Sequence, residues 1–139
     1  MGNKIEIDVI VNSSIEEVWE FWTNPQHIVN WNFASDDWEC PKAINDLRVE
    51  GKFSYTMAAK DGSMKFDFEG IYTKVEKPNM IEYELEDKRK VFIKFISEDD
   101  TTKIIESFEV EGTNNDEYQK EGWQCILNNF KKYVENKND

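Results

Sequence analysis

The stretch Gly51-Lys52-Phe53-Ser54-Tyr55-Thr56-Met57-Ala58-Ala59, then Asp61-Gly62, then Met64-Lys65-Phe66-Asp67-Phe68-Glu69-Gly70-Ile71-Tyr72 decides the fold. Apolar residues occupy every second position on both sides of the Asp-Gly pair. A period of two is that of a half-buried β-strand. Asp-Gly supplies residues that accept positive φ in a tight hairpin. The two strands therefore pair antiparallel, with Phe53, Tyr55, Met57, Phe66 and Phe68 directed inward.

The theme repeats toward the C-terminus. Lys77-Pro78-Asn79 reads as a turn, and Ile81-Tyr83-Leu85 alternates with Glu82-Glu84-Glu86. Residues 91–96 are apolar except for Lys94, Glu98-Asp99-Asp100 makes a turn, and Ile104-Glu106-Phe108-Val110 closes the series. The links are too short for crossover helices, so strands from about residue 37 to 110 form an antiparallel meander. Their alternation assigns one face to a core and the other to water.

Toward the N-terminus, Ile5, Ile7, Val9 and Val11 alternate in a half-buried strand, with Ile10 out of phase. Ser14 with Glu17 three residues later is a capping box. Ile15, Val18, Trp19 and Trp22 follow at helical spacing, and Pro25 ends that helix at Asn24. Residues 26–34 predict another short helical turn carrying Trp31 and Phe33. At the other end, Asn114 with Glu117 marks a helix start. Tyr118, Trp123, Ile126, Leu127, Phe130 and Val134 then keep helical period to about residue 136. About 20 helical residues span about 30 Å, enough to cross a sheet. The tail from Glu135 to Asp139 is polar and expected to fray.

The chain has 139 residues, the size of one domain. Seventeen Lys and Arg against 29 Asp and Glu give a net charge of −12. The densest basic run, Lys88-Arg89-Lys90, is flanked by Glu86 and Asp87, so nucleic acid and anionic membrane surfaces are excluded as partners. No apolar run approaches the ~18 residues of a membrane span, and no signal-peptide stretch opens the sequence. These features point to the cytoplasm. The distant pair Cys40 and Cys125 then reads as two reduced thiols.

Little in the sequence announces chemistry. His27 is the only histidine, which excludes His-rich metal sites, and no loop has calcium-loop spacing. There is no Gly-x-Ser-x-Gly elbow and no phosphate-cradling glycine loop. Cys40 or Cys125 with His27 would be the one nucleophile–base pair, but nothing local supports it; His27 reads as a loop or helix-start residue. No metal, cofactor or catalytic residue is assigned. Glu106 stands out because it shares the inward phase of Ile104, Phe108 and Val110. A buried carboxylate is costly unless paired. It reads either as a polar anchor in a pocket with a raised pKa, or as a structural hydrogen-bonding group, or as turned outward by a bulge.

Several words carry a resemblance: Val18-Trp19-Glu20-Phe21-Trp22-Thr23-Asn24-Pro25, Asn45-Asp46-Leu47-Arg48-Val49-Glu50-Gly51-Lys52-Phe53, Phe66-Asp67-Phe68-Glu69-Gly70-Ile71-Tyr72 and Gly122-Trp123-Gln124-Cys125-Ile126-Leu127-Asn128-Asn129-Phe130. With the element order, they resemble the family related to the activator of heat-shock-protein-90 ATPase, in the START-like (SRPBCC) superfamily. The resemblance covers essentially the whole chain. It implies an α+β helix-grip fold, like that of the Bet v allergens, with a curved antiparallel sheet around a long C-terminal helix. It also implies, in many members, an apolar cavity between the two. The eponymous co-chaperone has a separate N-terminal domain for which this chain has no room, so direct ATPase activation is not expected.

The candidate pocket residues are Phe33, Phe53, Tyr55, Met57, Phe66, Phe68, Tyr83, Phe95, Glu106, Phe108, Trp123 and Leu127. They fit either a ligand cavity or a filled core. Gly122, in the middle of a predicted helix, suggests close approach of helix to strand or ligand. The leading expectation is a non-enzymatic module for a small hydrophobic or amphipathic ligand. A chaperone-interacting stress adaptor is second, and a polyketide-cyclase-like enzyme using Glu106 is third. Monomer and homodimer both remain open.

Overall fold

The computed structural model describes residues 4–110 and 116–137. The predicted helix start at Asn114 and the tail residues Asn138 and Asp139 lie outside the described residues. In chain order the elements are β1 (Lys4–Val11), α1 (Ile15–Thr23), α2 (Pro25–Ile28), β2 (Trp38–Asn45), β3 (Lys52–Ala59), β4 (Lys65–Glu76), β5 (Met80–Leu85), β6 (Lys90–Glu98), β7 (Thr101–Glu109) and α3 (Asp116–Lys137). One curled antiparallel sheet of seven strands has the order β1-β7-β6-β5-β4-β3-β2. Strands β2 to β7 form the expected meander, and β1 returns to pair with β7. With the long C-terminal helix, this is the α+β helix-grip architecture.

The alternation is clearest in β5 and β7, where every second residue is buried. Glu98 pairs with Thr101, leaving Asp99-Asp100 as a two-residue turn with Asp99 at φ 56°. Gly62 turns the β3–β4 hairpin at φ 81°, where glycine has no steric penalty. Gly70 is needed for a different reason. It pairs with Phe53, and a Cβ there would lie 2.7 Å from the Phe53 ring. The ring occupies the space a side chain would fill.

Ser14 caps α1, its hydroxyl accepting the Glu17 N–H at 3.3 Å. Only this half of the capping box forms, since Glu17 Oε1 has no partner among the described residues. Asn24 ends α1 in an extended conformation and its side chain caps α2, accepting the Gln26 N–H at 2.9 Å. The short helix ends at Ile28, earlier than expected, so Trp31 and Phe33 lie in the turns that follow. Asn129 of α3 holds these turns by donating to the Trp31 carbonyl at 2.8 Å.

Helix α3 buries Leu127, Phe130 and Val134 against the core. Phe130 meets Trp22 and Trp31 edge-on, each at 4.8 Å between centroids. The helix also covers the open edge of β1. Gln124 donates to the Asp8 carbonyl at 3.2 Å, Lys131 donates to the Ile10 carbonyl at 2.8 Å, and the Asn12 N–H donates to Glu135 at 2.9 Å. An exposed strand edge is a template for pairing with other chains, and these side chains occupy it. At the other edge, β2 contains Pro41 and a register shift between Glu39 and Lys42, which interrupt the ladder.

Two expectations need correction. Phe66 is 47% exposed, because the start of β4 projects past the cover of α3. Gly122 makes no close approach: a Cβ there would meet no atom of the described residues within 4 Å.

Candidate ligand-binding cavity

Between the sheet and the first turns of α3 lies a cavity of about 590 Å³. That lies within the range of small-molecule sites, roughly 300–1,000 Å³. Its floor is built by inward positions of successive strands: Tyr55 and Met57 of β3, Phe68 and Tyr72 of β4, Ile81 and Tyr83 of β5, and Glu106 of β7. Trp123, Ile126 and Gly122 of α3 form the opposite wall, with Trp22 and Trp31 at one side. Phe66, Trp38, Ala34 and Ser35 stand toward solvent, with Phe66 and Trp38 edge-on at 5.9 Å. Gln119 and Tyr118 complete the helix side, and Tyr118 is 66% exposed.

The aromatic walls are held by packing behind them. Trp123 stacks on Phe108 at 4.2 Å and 11°. Phe53 lies edge-on to Tyr83 at 4.7 Å and stacks on Tyr55 at 4.9 Å. The Tyr72 hydroxyl donates to Asn45 Oδ1 at 2.5 Å, and Asn45 Nδ2 in turn donates to the Thr23 carbonyl at 2.7 Å. Such contacts fix ring orientation, so the wall is pre-organised.

Glu106 is the carboxyl of this surface. It is 5% exposed and flanked on its neighbouring strands by Ile7 and Ile93. No hydrogen bond or ion pair joins it to another described residue. Burial alone pushes its pKa up to about 8. Removing a carboxylate from water without a partner favours the neutral acid. The three tyrosine hydroxyls on this surface are also kept neutral. Burial raises Tyr72 to about 12 and takes Tyr55 and Tyr83 well above 10, and for Tyr83 the nearby Glu106 carboxylate adds to the effect. Arg89 reaches the cavity from the β5–β6 turn, but its Nε is held by Asp87 at 2.6 Å.

The cysteine–histidine pairing is not assembled. Burial raises the Cys40 thiol to about 11, and its Sγ donates to the Lys42 carbonyl at 3.5 Å. His27 stacks on Phe21 at 4.1 Å and shares a hydrogen bond with the Tyr133 hydroxyl at 2.7 Å. It ties α2 to α3. Cys125 is exposed, and both thiols are free. Among the described residues no group of His, Cys, Asp and Glu is arranged to hold a metal. No helix of the described residues is long and apolar enough to cross a membrane.

Of the residues singled out from sequence, Tyr55, Met57, Phe66, Phe68, Tyr83, Glu106 and Trp123 line the cavity. Phe53, Phe95, Phe108 and Leu127 are buried behind it in the core. Phe33 lies in the segment after α2, half-buried, and does not line the cavity although its neighbours Asn32 and Ala34 do. Sequence reasoning did not single out Trp22, Trp31, Trp38, Tyr72, Ile81, Arg89 and Ile126 for the cavity. Tyr72 and Ile81 share the inward phase of their strands and could have been read from it. Trp31 and Arg89 sit in turns, where no period reports direction.

A family model described as "Activator of Hsp90 ATPase homolog 1-like protein" matches residues 12–135. The chain is similar to a solution structure of an AHSA1-like protein from Aeromonas hydrophila, with 43% identity and a TM-score of 0.93 over 98% of this chain and 94% of that one. It is also similar to a solution structure of a protein from Cytophaga hutchinsonii, with 53% identity and a TM-score of 0.84 over 98% and 94%. A crystal structure of a protein from Nitrosomonas europaea shares the fold at 15% identity, with a TM-score of 0.83 over 97% and 96%. No curated protein matches the chain.

Proposed function

Since the chain belongs to the Activator of Hsp90 ATPase homolog 1-like family, we propose that it is a non-enzymatic binding protein for a small amphipathic molecule, held between the sheet and α3. One observation carries this reading. A cavity of about 590 Å³, open to solvent beside Phe66 and Tyr118, carries aromatic walls and a buried carboxyl with no described partner. Protein interiors normally close-pack, and voids larger than a water molecule are few. Apolar walls with a few convergent polar groups are the usual composition of a ligand site. Tyr55, Tyr83 and Glu106 supply polar contacts here, and Phe68 and Trp123 supply apolar area. The state of the nucleophile and base candidates supports binding over chemistry. Cys40 is a neutral thiol, and His27 is engaged by Phe21 and Tyr133.

The test is a ligand panel of fatty acids, sterols and aromatic compounds, read by native mass spectrometry and by amide shifts. A binder should shift resonances of β3, β5 and α3. Gly122→Leu places a side chain into the open space at the helix wall and should abolish that binding while the protein stays folded. If no compound binds, or if a binder is unaffected by Gly122→Leu and shifts only residues away from the cavity, the proposal fails.

A further inference from the structure

Building on the binding reading above, we infer that the cavity selects an organic cation, an amine or ammonium carried on an apolar or aromatic body, with Glu106 as its counter-ion. The geometry supplies the pieces. Glu106 is 95% removed from solvent, lines the cavity, and has no hydrogen bond or ion pair to another described residue. An uncompensated buried carboxyl is a vacancy for a positive charge or a hydrogen-bond donor. The cavity already holds donors for ligand acceptors in the Tyr83 hydroxyl and in Arg89. Among the described residues no cation is paired with Glu106: Arg89 lines the cavity, but its Nε is held by Asp87 at 2.6 Å.

The walls favour the same ligand. Tyr55, Phe68, Tyr83 and Trp123 present ring surface to the cavity. A cation over an aromatic face is attracted by the ring quadrupole, more strongly once it is desolvated. The net charge of −12 also draws cations toward the protein as a whole. An anionic ligand would hold Glu106 in its neutral form, and a neutral one would leave its charge-pairing capacity unused.

The pairing has a proton signature. In the empty cavity the acid is mostly neutral at pH 7, because burial raises its pKa to about 8. An entering ammonium favours the carboxylate, so the proton is released on binding. The groups facing Glu106 do not obscure this. Ile7 of β1 and Ile93 of β6 do not titrate, and Tyr55, Tyr72 and Tyr83 stay protonated at pH 7.

The experiment uses one indole body with three head groups: tryptamine, tryptophol and indole-3-acetate. Each is titrated into the full chain at pH 7 by NMR and by calorimetry in two buffers of different ionisation enthalpy. Tryptamine should bind at least about tenfold tighter than tryptophol, the range of a hydrogen bond to a charged group. It should release close to one proton, whereas tryptophol releases none. Glu106→Gln should abolish the preference, so that tryptamine binds this variant no more tightly than tryptophol does. The proton count on the unsubstituted protein tests the inference without any variant. If tryptophol or indole-3-acetate binds as tightly as tryptamine, if tryptamine binds without proton release, or if its preference survives Glu106→Gln, the cation inference falls and cavity binding stands. If none of the three shifts the cavity resonances, both fall.

Discussion

Replacing Glu106 by glutamine should shift stability in a direction and with a pH slope that the structure dictates. Burial raises the carboxyl from its ordinary 4.5 to about 8. The unfolded chain therefore releases this proton at a lower pH than the folded protein does. Glu106 is without penalty below pH 4.5, and stability is lost as pH rises through the interval up to about 8. With 1.36 kcal/mol for each tenfold ratio, the penalty is about 1 kcal/mol at pH 5.5, about 3 at pH 7, and between about 4 and 5 at pH 8.5. Glutamine has nearly the same shape and does not titrate. The stability difference, variant minus wild type, should therefore grow by about 3 kcal/mol from pH 5.5 to 8.5. At pH 7 the effect corresponds to a melting-temperature change of about 10 °C for a chain of this length.

The assay is urea unfolding followed by tryptophan fluorescence at pH 5.5, 7 and 8.5, for both proteins. This range lies above the isoelectric point of about 4.6, where solubility is poorest. A buried amide lacking an acceptor adds a constant cost of about 1–3 kcal/mol. That constant can mask a gain at one pH but cannot change the slope, because every other titrating group is common to the two proteins. A difference that stays flat across the range would refute a buried, unpaired Glu106.

Gly122→Ala should raise stability by about 1 kcal/mol in the same assay, because alanine is the better helix former and its Cβ meets no described atom within 4 Å; a loss would place an unseen neighbour against the helix. Gly70→Ala should cost about 1–3 kcal/mol, since the Cβ would stand 2.7 Å from the Phe53 ring in a packed core; a neutral result would show that the ring can move freely. Iodoacetamide should modify exposed Cys125 well before Cys40, whose thiol is buried and raised to about 11; mass spectrometry of the native protein reads the order, and comparable rates would contradict the packing around β2.

The period of the sequence says which face a residue takes, and in β5 and β7 this was enough. Tyr83, Glu106 and Phe108 lie inward as their phase requires. Phase does not say what lies over that face. Phe66 shares the phase of Phe68, yet the helix reaches only the second of them, leaving Phe66 47% exposed. Phe53 and Phe108 also share the inward phase, but the Phe53 ring packs into the space left free at Gly70 and Trp123 stacks over Phe108, so they are core and not cavity wall. Depth depends on where α3 ends its cover, which is a tertiary fact with no local signal. Trp31 and Arg89 fall in turns, where neighbours in sequence do not constrain direction. Gly122 shows the converse limit. A helical glycine signals that something other than propensity is at issue, but the same letter serves close contact and open space.

Gly122 and Glu106 belong together for an energetic reason. Each is a locally unfavourable choice, by about 1 kcal/mol of helix propensity for Gly122 and about 3 kcal/mol of carboxyl burial at pH 7 for Glu106. They sit on different elements, α3 and β7, and both face the same cavity. A void left by imperfect packing would have apolar walls and could be narrowed by any larger side chain. Here the helix wall omits even a methyl group, and the strand wall places an acid where Ile104 and Phe108 two residues away are apolar. Departures from local consistency concentrate at functional sites. Two such departures on one surface support reading the space as a binding site, and the second is the ground for proposing that charge, more than shape, selects its ligand.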